Sequence, residues 1–507
     1  MNGQLTQETI DLIKTAMLDP NGELAKAFTQ AGTAITGLTA YDLEAPAKTL
    51  YPVLTPLRNR SPRVSGRGGI QANWRAVTGI NTAKLSAGVV EGKRGGIITT
   101  GTAEYLAAYK GIGLEDTVTF EAQYAGQGFE DIKARAVRGL LQSLMIQEEM
   151  IILGGNGSAV ALGKPDAPTL TENLAAVLPG TFKSATKYKV GVVALTLEGY
   201  NLASVSGGIV QTYSRTNGGA DAADTVNGGT STPSDLTEIT ITTSGVDTQS
   251  VNMSTPVVAG AVAYAWYWGP SAGDQVLGAI TTINSYAATV LQGAGTGKHS
   301  ALVAADYSKN SLVFDGLLAQ LWKTSSGAYI KNMATLALKG TGTPLTAGTD
   351  GTITEFDVAL QSLWDNYRLS PTRMIVSGQE MNYIRKKVLT GSATGAQRFV
   401  FSADQNGMMG GVMVNAYLNP FGMGAAKPIP IELHPNMPPG TVLFDTDDLP
   451  YTLSGVTNLK QIRTRQEYYQ IEWPLRTRKY EYGVYADEVL QNYFPPAFGI
   501  ITNIAAG

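Results

Sequence analysis

The chain has 507 residues, of which 43% are hydrophobic and 16% are charged. This length exceeds the roughly 250 to 300 residues that one hydrophobic core supports, so the sequence predicts at least two domains. The formal net charge of -3 gives no global basic field, which argues against salt-sensitive nucleic-acid binding as the main activity. The absence of Cys excludes disulfides and thiolate metal sites. The low charge indicates a subunit that buries surface against partners.

The first 66 residues predict an extended arm that begins with one short helix. Apolar residues recur at helical spacing over 5–18, and Asp19-Pro20-Asn21-Gly22 ends that helix. From about 30 to 66, four prolines bias the backbone toward extended conformations. We find neither a secretory signal nor a stretch of ~18 apolar residues, so we expect a protein that is soluble where it is made and has no membrane partner.

Residues 67–115 predict an extended β-hairpin. β-branched and aromatic residues over 69–78 and 97–109 flank a Gly-rich stretch. A two-stranded ribbon is marginally stable alone in water, so we expect it to lie on another surface. The charged residues Lys84, Glu91, Lys93 and Arg94 fall near its tip. They either set the register on a neighbour or form an ordinary solvated loop.

The strongest helical pattern spans 129–153. Ile132, Ala136, Leu140 and Leu144 form one stripe, and Gly154-Gly155 ends the helix. About 25 residues at 1.5 Å per residue make a rod of roughly 37 Å, which is long enough to span a domain.

Between 165 and 300 the sequence is rich in Thr, Ser, Gly and Val, and short strand patterns recur between turn signals. We predict strands over 188–196, 208–213, 236–243, 251–253, 261–268, 275–283 and 285–290. In the fifth, Tyr264, Trp266 and Trp268 alternate with mostly small residues, which predicts a strand packed on one face. About seven strands in this length are typical of an immunoglobulin- or fibronectin-like β-sandwich.

A mixed pattern returns after residue 300. It predicts helices over 314–322 and 353–367, a strand over 374–376 and a helix over 379–388. The β-sandwich is therefore interpreted as an insertion into an α+β host.

One local pattern resembles a phosphate-binding loop, Gly295-Thr296-Gly297-Lys298. Gln292 occupies the position of the first Gly of that motif, and His299 occupies the position of its Ser or Thr. We therefore predict a flexible linker here and no cofactor.

A second pattern, Gly269-Pro270-Ser271-Ala272-Gly273, matches a hydrolase nucleophile elbow. A predicted strand follows it where the elbow requires a helix, which favours a hairpin turn. A triad of Ser271, Asp404 and His434 is the enzymatic alternative. The chain has two His in total, which argues against a multi-histidine metal site. We predict no catalytic, cofactor-binding or metal site.

Basic residues form two clusters. The first contains Arg58, Arg60, Arg63 and Arg67, and the second contains Arg463, Arg465, Arg476, Arg478 and Lys479. The planar, bidentate donors of Arg suit salt bridges between subunits. Solvated or locally paired charge is the alternative, and a weak internal contact with DNA is a third interpretation.

The order of these parts resembles the major capsid proteins of tailed bacteriophages, whose fold is shared with encapsulin nanocompartments and the herpesvirus shell floor. The resemblance covers nearly the whole chain outside 165–300. Besides the arm, hairpin and long helix, it is carried by FDGLL at 314–318, RMIVSGQEMNYIRKKVL at 373–389, YLNPFG at 417–422, IPIELHPNMPPGTVLF at 429–444 and YYQIEWPLRTRKYEYGVYADEVLQN at 468–492.

The resemblance implies an α+β, Hong Kong 97-like capsid fold. Its implied domains are an N-terminal arm (1–66), an extended β-hairpin loop (67–115), a peripheral domain (116–164) with spine helix 129–153, an inserted all-β immunoglobulin- or fibronectin-like sandwich (165–300), a return to the peripheral domain (301–350), an axial domain (351–450) and C-terminal peripheral strands (451–507).

The function that the resemblance implies is that of a major capsid protein without enzymatic activity. Such subunits self-assemble into hexamers and pentamers of an icosahedral head, which encloses phage double-stranded DNA without sequence-specific contact. Portal, scaffolding and decoration proteins are further implied partners. The implied location is the virion, after assembly in the bacterial host cytoplasm, and the inserted sandwich is expected to project from the outer surface.

Three other functions stay open from the sequence alone. An encapsulin-like nanocompartment shell shares the fold, but the insertion and the long arm favour the virus. A secreted β-sandwich adhesin is suggested by the aromatic strand at 264–268, and the lack of a secretory signal argues against it. A serine hydrolase that uses Ser271 is the third.

Overall fold

The computed structural model describes residues 51–66, 68–80, 87–127, 130–173, 180–218, 221–242, 247–291, 297–335, 340–348, 351–390, 403–404, 407–408, 414–422, 427–451 and 454–507. The helix predicted over 5–18 and most of the predicted arm lie outside these residues. The chain divides into two compact units, one of Met1–Tyr51 with Glu121–Ile132 and one of Pro52–Phe120 with Lys133–Gly507. The contacts discussed below lie within the second unit.

Seven α-helices occur in the described residues. They are α1 (Pro56–Arg60), α2 (Phe120–Ala125), α3 (Ile132–Gly154), α4 (Leu197–Leu202), α5 (Leu317–Trp322), α6 (Thr354–Tyr367) and α7 (Gly378–Thr390). The helix predicted over 129–153 is present as α3. The one predicted over 314–322 begins only at Leu317, because Gly316 has extended backbone where it lies against the end of α3. A Cβ on Gly316 would be 2.3 Å from the carbonyl oxygen of Ile151.

The strands of the described residues, in chain order, are β1 (Arg63–Ser65), β2 (Gln71–Ile80), β3 (Thr100–Ala108), β4 (Lys110–Thr119), β5 (Thr169–Asn173), β6 (Lys187–Leu195), β7 (Thr212–Arg215), β8 (Asp224–Asn227), β9 (Thr237–Thr240), β10 (Ser250–Ser254), β11 (Ala263–Pro270), β12 (Val276–Thr281), β13 (Ser285–Ala288), β14 (Tyr329–Asn332), β15 (Arg373–Val376), β16 (Ala403–Asp404), β17 (Gly407–Met408), β18 (Ala416–Asn419), β19 (Lys427–Leu433), β20 (Val442–Asp445), β21 (Lys460–Glu472), β22 (Lys479–Asn492) and β23 (Gly499–Thr502). The fold is therefore mixed α+β.

The part of the second unit outside 165–300, which we call the host region, is built around two sheets. One has the order β1-β21-β22-β4, in which β1 runs parallel to β21. The other has the order β14-β23-β20-β15-β19-β18. Leu57 of α1, Ile152 of α3, Ile462 of β21 and Ile500 of β23 share one apolar core, so the N-terminal and C-terminal parts of this unit fold together. The six-stranded sheet takes β14 and β23 from outside 351–450, the range expected for the axial domain.

The region between 165 and 300 forms two facing sheets, of order β13-β10-β5 and β12-β11-β6-β9. Trp266 and Trp268 of β11 share a core with Val251 and Met253 of β10, so the two sheets pack face to face. The short hairpin β7–β8 forms a separate two-stranded sheet.

The prediction that the aromatic strand packs on one face is wrong. Every residue of β11 from Ala263 to Gly269 is buried. Ala265 and Tyr267, on the face opposite Trp266, belong to a second apolar cluster with Leu277. That cluster is covered by residues from two distant segments, among them Tyr200, Ala203, Ile209 and Leu302.

The sandwich is joined to the host by apolar and polar contacts. Trp322 of α5 packs against the sandwich core. The backbone N–H of Asn284 donates to Asn503 Oδ1 at 2.7 Å, and Asn503 Nδ2 donates to Asn284 Oδ1 at 2.9 Å. Both Asn side chains are buried, so these bonds form away from water, where an unpaired amide would be costly.

Candidate interaction surface

The hairpin β2–β3 is a two-stranded sheet that joins no larger sheet among the described residues. Its antiparallel register runs from Gln71 opposite Ala108 to Ile80 opposite Thr100, with an irregularity between Val77 and Gly79. A ribbon of two strands has no second layer to cover its faces. The side chains that do not contact the rest of the unit are therefore available to surfaces outside the described part of the chain.

Large apolar side chains are exposed along this hairpin. Ile97 is 87% exposed and Leu106 is 62% exposed. The same holds for Ile70, Val77, Val89, Val90 and Ile98. Monomeric proteins rarely expose many neighbouring apolar side chains, and larger exposed patches mark interaction sites. We call the exposed residues from Ile70 to Leu106 the hairpin patch.

The root of the hairpin is fixed to the host. The Trp74 ring stacks on Tyr105 of the facing strand, with centroids 5.8 Å apart, and meets the Tyr493 ring edge-on at 5.9 Å. Ala72 and Tyr109 are buried in the host core. The hairpin patch is thus held by one end, while residues 87–100 are exposed throughout.

The predicted charges near the hairpin tip are exposed where they are described. Glu91, Lys93 and Arg94 are exposed, and Lys84 lies outside the described residues. The exposed pair of Arg75 and Glu104 links the two strands across the hairpin. A solvent-exposed ion pair adds at most about 1 kcal/mol, so it orders the ribbon only weakly.

A buried ion network fixes the segment that leads into the hairpin. Glu149 of α3 is fully buried and accepts bonds from the backbone N–H groups of Leu57 (2.9 Å) and Arg58 (2.7 Å). His434 Nε2 lies 2.6 Å from the same carboxylate. The neighbouring Glu148, also fully buried, accepts from Arg58 Nε at 2.7 Å.

Arg63 extends this network to β22. Its guanidinium donates to Glu148 and, at 2.9 Å, to Glu488 Oε2. The hydroxyl of Tyr468 donates to Glu148, and burial is the main reason that the pKa of Tyr468 is raised. Burial, reinforced by the charge of Glu148, raises the pKa of Glu488 to about 7. The network therefore binds α1, β1, α3 and β22 together.

A second network lies in the six-stranded sheet. Arg373 donates to Asp445 at 2.7 Å and to Asp447 at 2.8 Å. Lys460 of β21 also bonds to Asp445, and both of these side chains are buried. Arg60 donates to Glu432 of β19 at 2.6 Å. Arg60 of α1 and Arg63 of β1 thus tie this segment to both sheets of the host.

These networks decide between the interpretations of the basic clusters. Ion pairs within the chain are formed by Arg58, Arg60, Arg63, Arg465 and Lys479. The locally paired alternative is confirmed for these five residues. Arg67 lies outside the described residues, and Arg476 is exposed. Sequence reasoning missed Glu148 and Glu149, although two adjacent carboxylates within the apolar run of a long helix were a readable signal.

The enzymatic alternative is wrong in its geometry. Ser271 lies in the turn between β11 and β12, as the hairpin-turn interpretation predicted, and its Oγ donates to Glu238 at 2.5 Å. His434 uses Nε2 on Glu149 and Nδ1 on the backbone N–H of Asn436, so neither nitrogen serves Ser271. Asp404 lies in β16.

The predicted linker at 295–298 is only partly described. Gly295 and Thr296 lie outside the described residues, and Lys298 pairs with Asp274 at 2.7 Å. Across the described ranges, no cluster of His, Asp or Glu is arranged to hold a metal ion. No helix in the same ranges is long and apolar enough to cross a membrane.

A groove of about 520 Å³ lies between β4 and α3 on one side and α4 with the β7–β8 hairpin on the other. Its apolar lining includes Ile112, Leu144, Ile151 and Leu202. Glu198 also lines the groove, and burial raises the pKa of its carboxyl group. The carboxylate accepts from Asn310 at 2.9 Å, so its polar atoms are bound within the chain.

No protein-family model matches the chain, and no curated protein matches it. Among solved structures, the chain is similar to the capsid of the native GTA particle at 8% identity and a TM-score of 0.41, over 92% of this chain and 96% of that chain. It is similar to the SrpI encapsulin of Synechococcus elongatus PCC 7942 at 7% identity and a TM-score of 0.37, over 92% and 97%. It is similar to the satellite phage P4 procapsid at 8% identity and a TM-score of 0.35, over 99% and 99%. All three TM-scores are below 0.5.

Proposed function

We propose that this chain is the major capsid protein of a tailed bacteriophage, with a Hong Kong 97-like fold that assembles into hexamers and pentamers around double-stranded DNA. The observation that carries the proposal is the hairpin patch, an exposed apolar ribbon rooted in the host core at Ala72 and Tyr109. A surface of this kind requires a partner, because exposed apolar area is removed from water only by association. Most soluble oligomers are formed from copies of one chain, so a second copy is the first candidate.

The shape of the hairpin favours a ring over a symmetric pair. A projecting ribbon fits a different surface of the next copy, which makes the contact heterologous. Heterologous contacts generate rings when the rotation closes, and hexamers and pentamers are rings of this type. Contacts between rings use other surfaces of the subunit and join the rings into a shell.

The sandwich supports a surface role within such a shell. Its two facing sheets of three and four strands suit an immunoglobulin-like domain, which has about seven strands around one core. We place this domain on the outer surface of the virion, where decoration proteins would bind it. Scaffolding and portal proteins are the other partners that we propose.

The test is negative-stain electron microscopy with size-exclusion chromatography of the chain expressed alone. We expect closed shells, tubes or rings of five or six subunits. The double variant Ile97→Ser, Leu106→Ser should remain folded and unassembled. The matched control is Leu418→Ser, which changes a side chain that is 64% exposed but lies outside the hairpin patch, and it should assemble normally.

Two results would change the proposal. A stable monomer at all concentrations, still unassembled when a scaffold is supplied, would contradict it and favour a binding protein. Shells that package proteins in place of DNA in the native organism would indicate the encapsulin-like alternative.

A further inference from the structure

The contacts of Arg63 bring two buried carboxylates to one guanidinium. Arg63 donates to Glu148 and to Glu488 Oε2, and both Glu side chains are fully buried. Glu488 Oε1 is also buried and has no hydrogen-bond partner among the described residues. A buried carboxylate with an oxygen left unpaired is costly, whereas a protonated carboxyl can donate to its neighbour.

The charges around this pair require one extra proton. The network contains three carboxylates, Glu148, Glu149 and Glu488, and two guanidinium groups, Arg58 and Arg63. His434 is neutral in this arrangement, because its Nδ1 accepts from Asn436 and its ring proton is therefore on Nε2. The network becomes neutral when Glu488 holds one proton.

Groups from every neighbouring element face the pair. Arg58 from α1, Arg63 from β1 and Tyr468 from β21 bond to the pair. Thr464 of β21 and Lys110 of β4 lie opposite Glu488 in the strand registers. Glu149 follows Glu148 on α3 and bonds to His434 and to the backbone of Arg58. Lys110 lies opposite Glu488 in the register of β4 and β22, but its ammonium donates to the carbonyl of Ser311 at 2.6 Å. It is therefore engaged away from the pair.

We propose that a proton on Glu488, beside Glu148 and Arg63, controls how firmly residues 52–66 are held against α3 and β22. When the proton is lost, the network keeps an uncompensated buried negative charge. Opening of residues 52–66 exposes the carboxylates to water and relieves that cost. The segment is therefore tightest in acid and loosens as the pH rises.

The pH window follows from the two states. Glu488 has a pKa of about 7 in the closed network and an ordinary value of 4.5 when solvated. A raised pKa means that the closed state binds the proton more tightly than the open state does. The stabilisation is complete below 4.5, falls as the pH rises between these values and is lost above about 7.

Hydrogen exchange measured by mass spectrometry on the full chain tests the proposal, with rates corrected for the intrinsic pH dependence of exchange. Between about pH 5 and pH 7.5, protection of peptides covering 52–66 should fall by about tenfold per pH unit inside the window. Glu488→Gln, which keeps a neutral side chain of the same shape, should remove this pH dependence. Asp487→Asn is the matched control on the same strand, because Asp487 pairs with the exposed Arg465, and it should keep the wild-type profile.

Two results would overturn the proposal. One is wild-type protection of 52–66 that does not change across this pH range, which needs no variant to establish. The other is a Glu488→Gln variant that retains the wild-type pH dependence. Both measurements are repeated in the background of the unassembled double variant Ile97→Ser, Leu106→Ser, so the proposal is tested separately from the proposed function.

Discussion

The hairpin β2–β3 and the sandwich strand β11 are made of similar residues in opposite surroundings. Both are rich in aromatic or β-branched side chains, yet Ile97 is 87% exposed and Trp266 is 0% exposed. β11 is buried on both faces because two other segments of the same chain cover it. The hairpin has no such cover among the described residues. Apolar side chains therefore stabilise the subunit in one region and are available for association in the other.

Replacement of the central sandwich residue should have the largest effect on subunit stability. Trp266→Ala removes a fully buried ring whose Nε1 donates to Thr281 Oγ1 at 2.8 Å. We expect a loss of roughly 3 to 5 kcal/mol in the free energy of unfolding, because the cavity adds to the lost burial. Urea unfolding of the unassembled subunit measures it, with Trp266→Phe as the milder control. A loss below about 1 kcal/mol would contradict the burial of Trp266 in the core between the two sandwich sheets.

A second variant tests the packing of β11 by adding volume next to it, whereas Trp266→Ala removes volume. Gly278 lies at the irregularity between β11 and β12, where a Cβ would be 2.1 Å from the Trp268 ring. Gly278→Ala should therefore displace Trp268 and cost about 1 to 3 kcal/mol. The measurement is the urea midpoint together with tryptophan fluorescence. Gly139→Ala on α3, where a Cβ meets nothing within 4 Å, is the control and should not destabilise the subunit.

The root of the hairpin should show an intermediate effect. Trp74→Ala removes the stacking on Tyr105 and the edge contact with Tyr493, and should cost about 0.5 to 1.5 kcal/mol. Hydrogen exchange should rise in β2 and β3 and stay unchanged in β11. Trp74→Phe should restore most of the protection. Equal loss of protection in both regions would show that the hairpin and the sandwich are not independent.

The exposed part of the hairpin should show the smallest effect on stability. Ile97→Ser should change the free energy of unfolding by no more than about 0.5 kcal/mol, because the side chain is already in water. Urea unfolding of the unassembled subunit measures this value. A larger loss would show that Ile97 is covered within the subunit, which would remove the contrast between the two regions.

Sequence periodicity predicted helix α3 well. It failed for strand β11, because the residues that pack on one of its faces are far away in the sequence. The apolar stripe of Leu140 and Leu144 gave a helix close to the bounds of α3. The alternation in β11 suggested one buried face, because the residues that cover its other face lie in segments without a strong pattern of their own. Two-sided burial of a strand depends on those tertiary contacts and not on its own sequence.

The candidate site was predictable to a similar extent. The hairpin was readable because its two β-rich runs flank a Gly-rich stretch, and its two-stranded form predicted that it lies on another surface. The Arg cluster before it was also visible. Its partners were not, because Glu148 lies 90 residues from Arg58 in the sequence. Spacing alone cannot pair charges over that separation.

The position of β23 has a consequence for the order of events during synthesis. β23 lies between β14 and β20 in the six-stranded sheet, and its Ile500 and Ile501 lie in the two host cores. The neighbouring strands emerge from the ribosome earlier but stay separated until residues 499–502 are made. Contacts between residues so distant in sequence form slowly. The host region therefore completes its folding late. An unfinished chain that lacks β23 has a gap in the six-stranded sheet between β14 and β20.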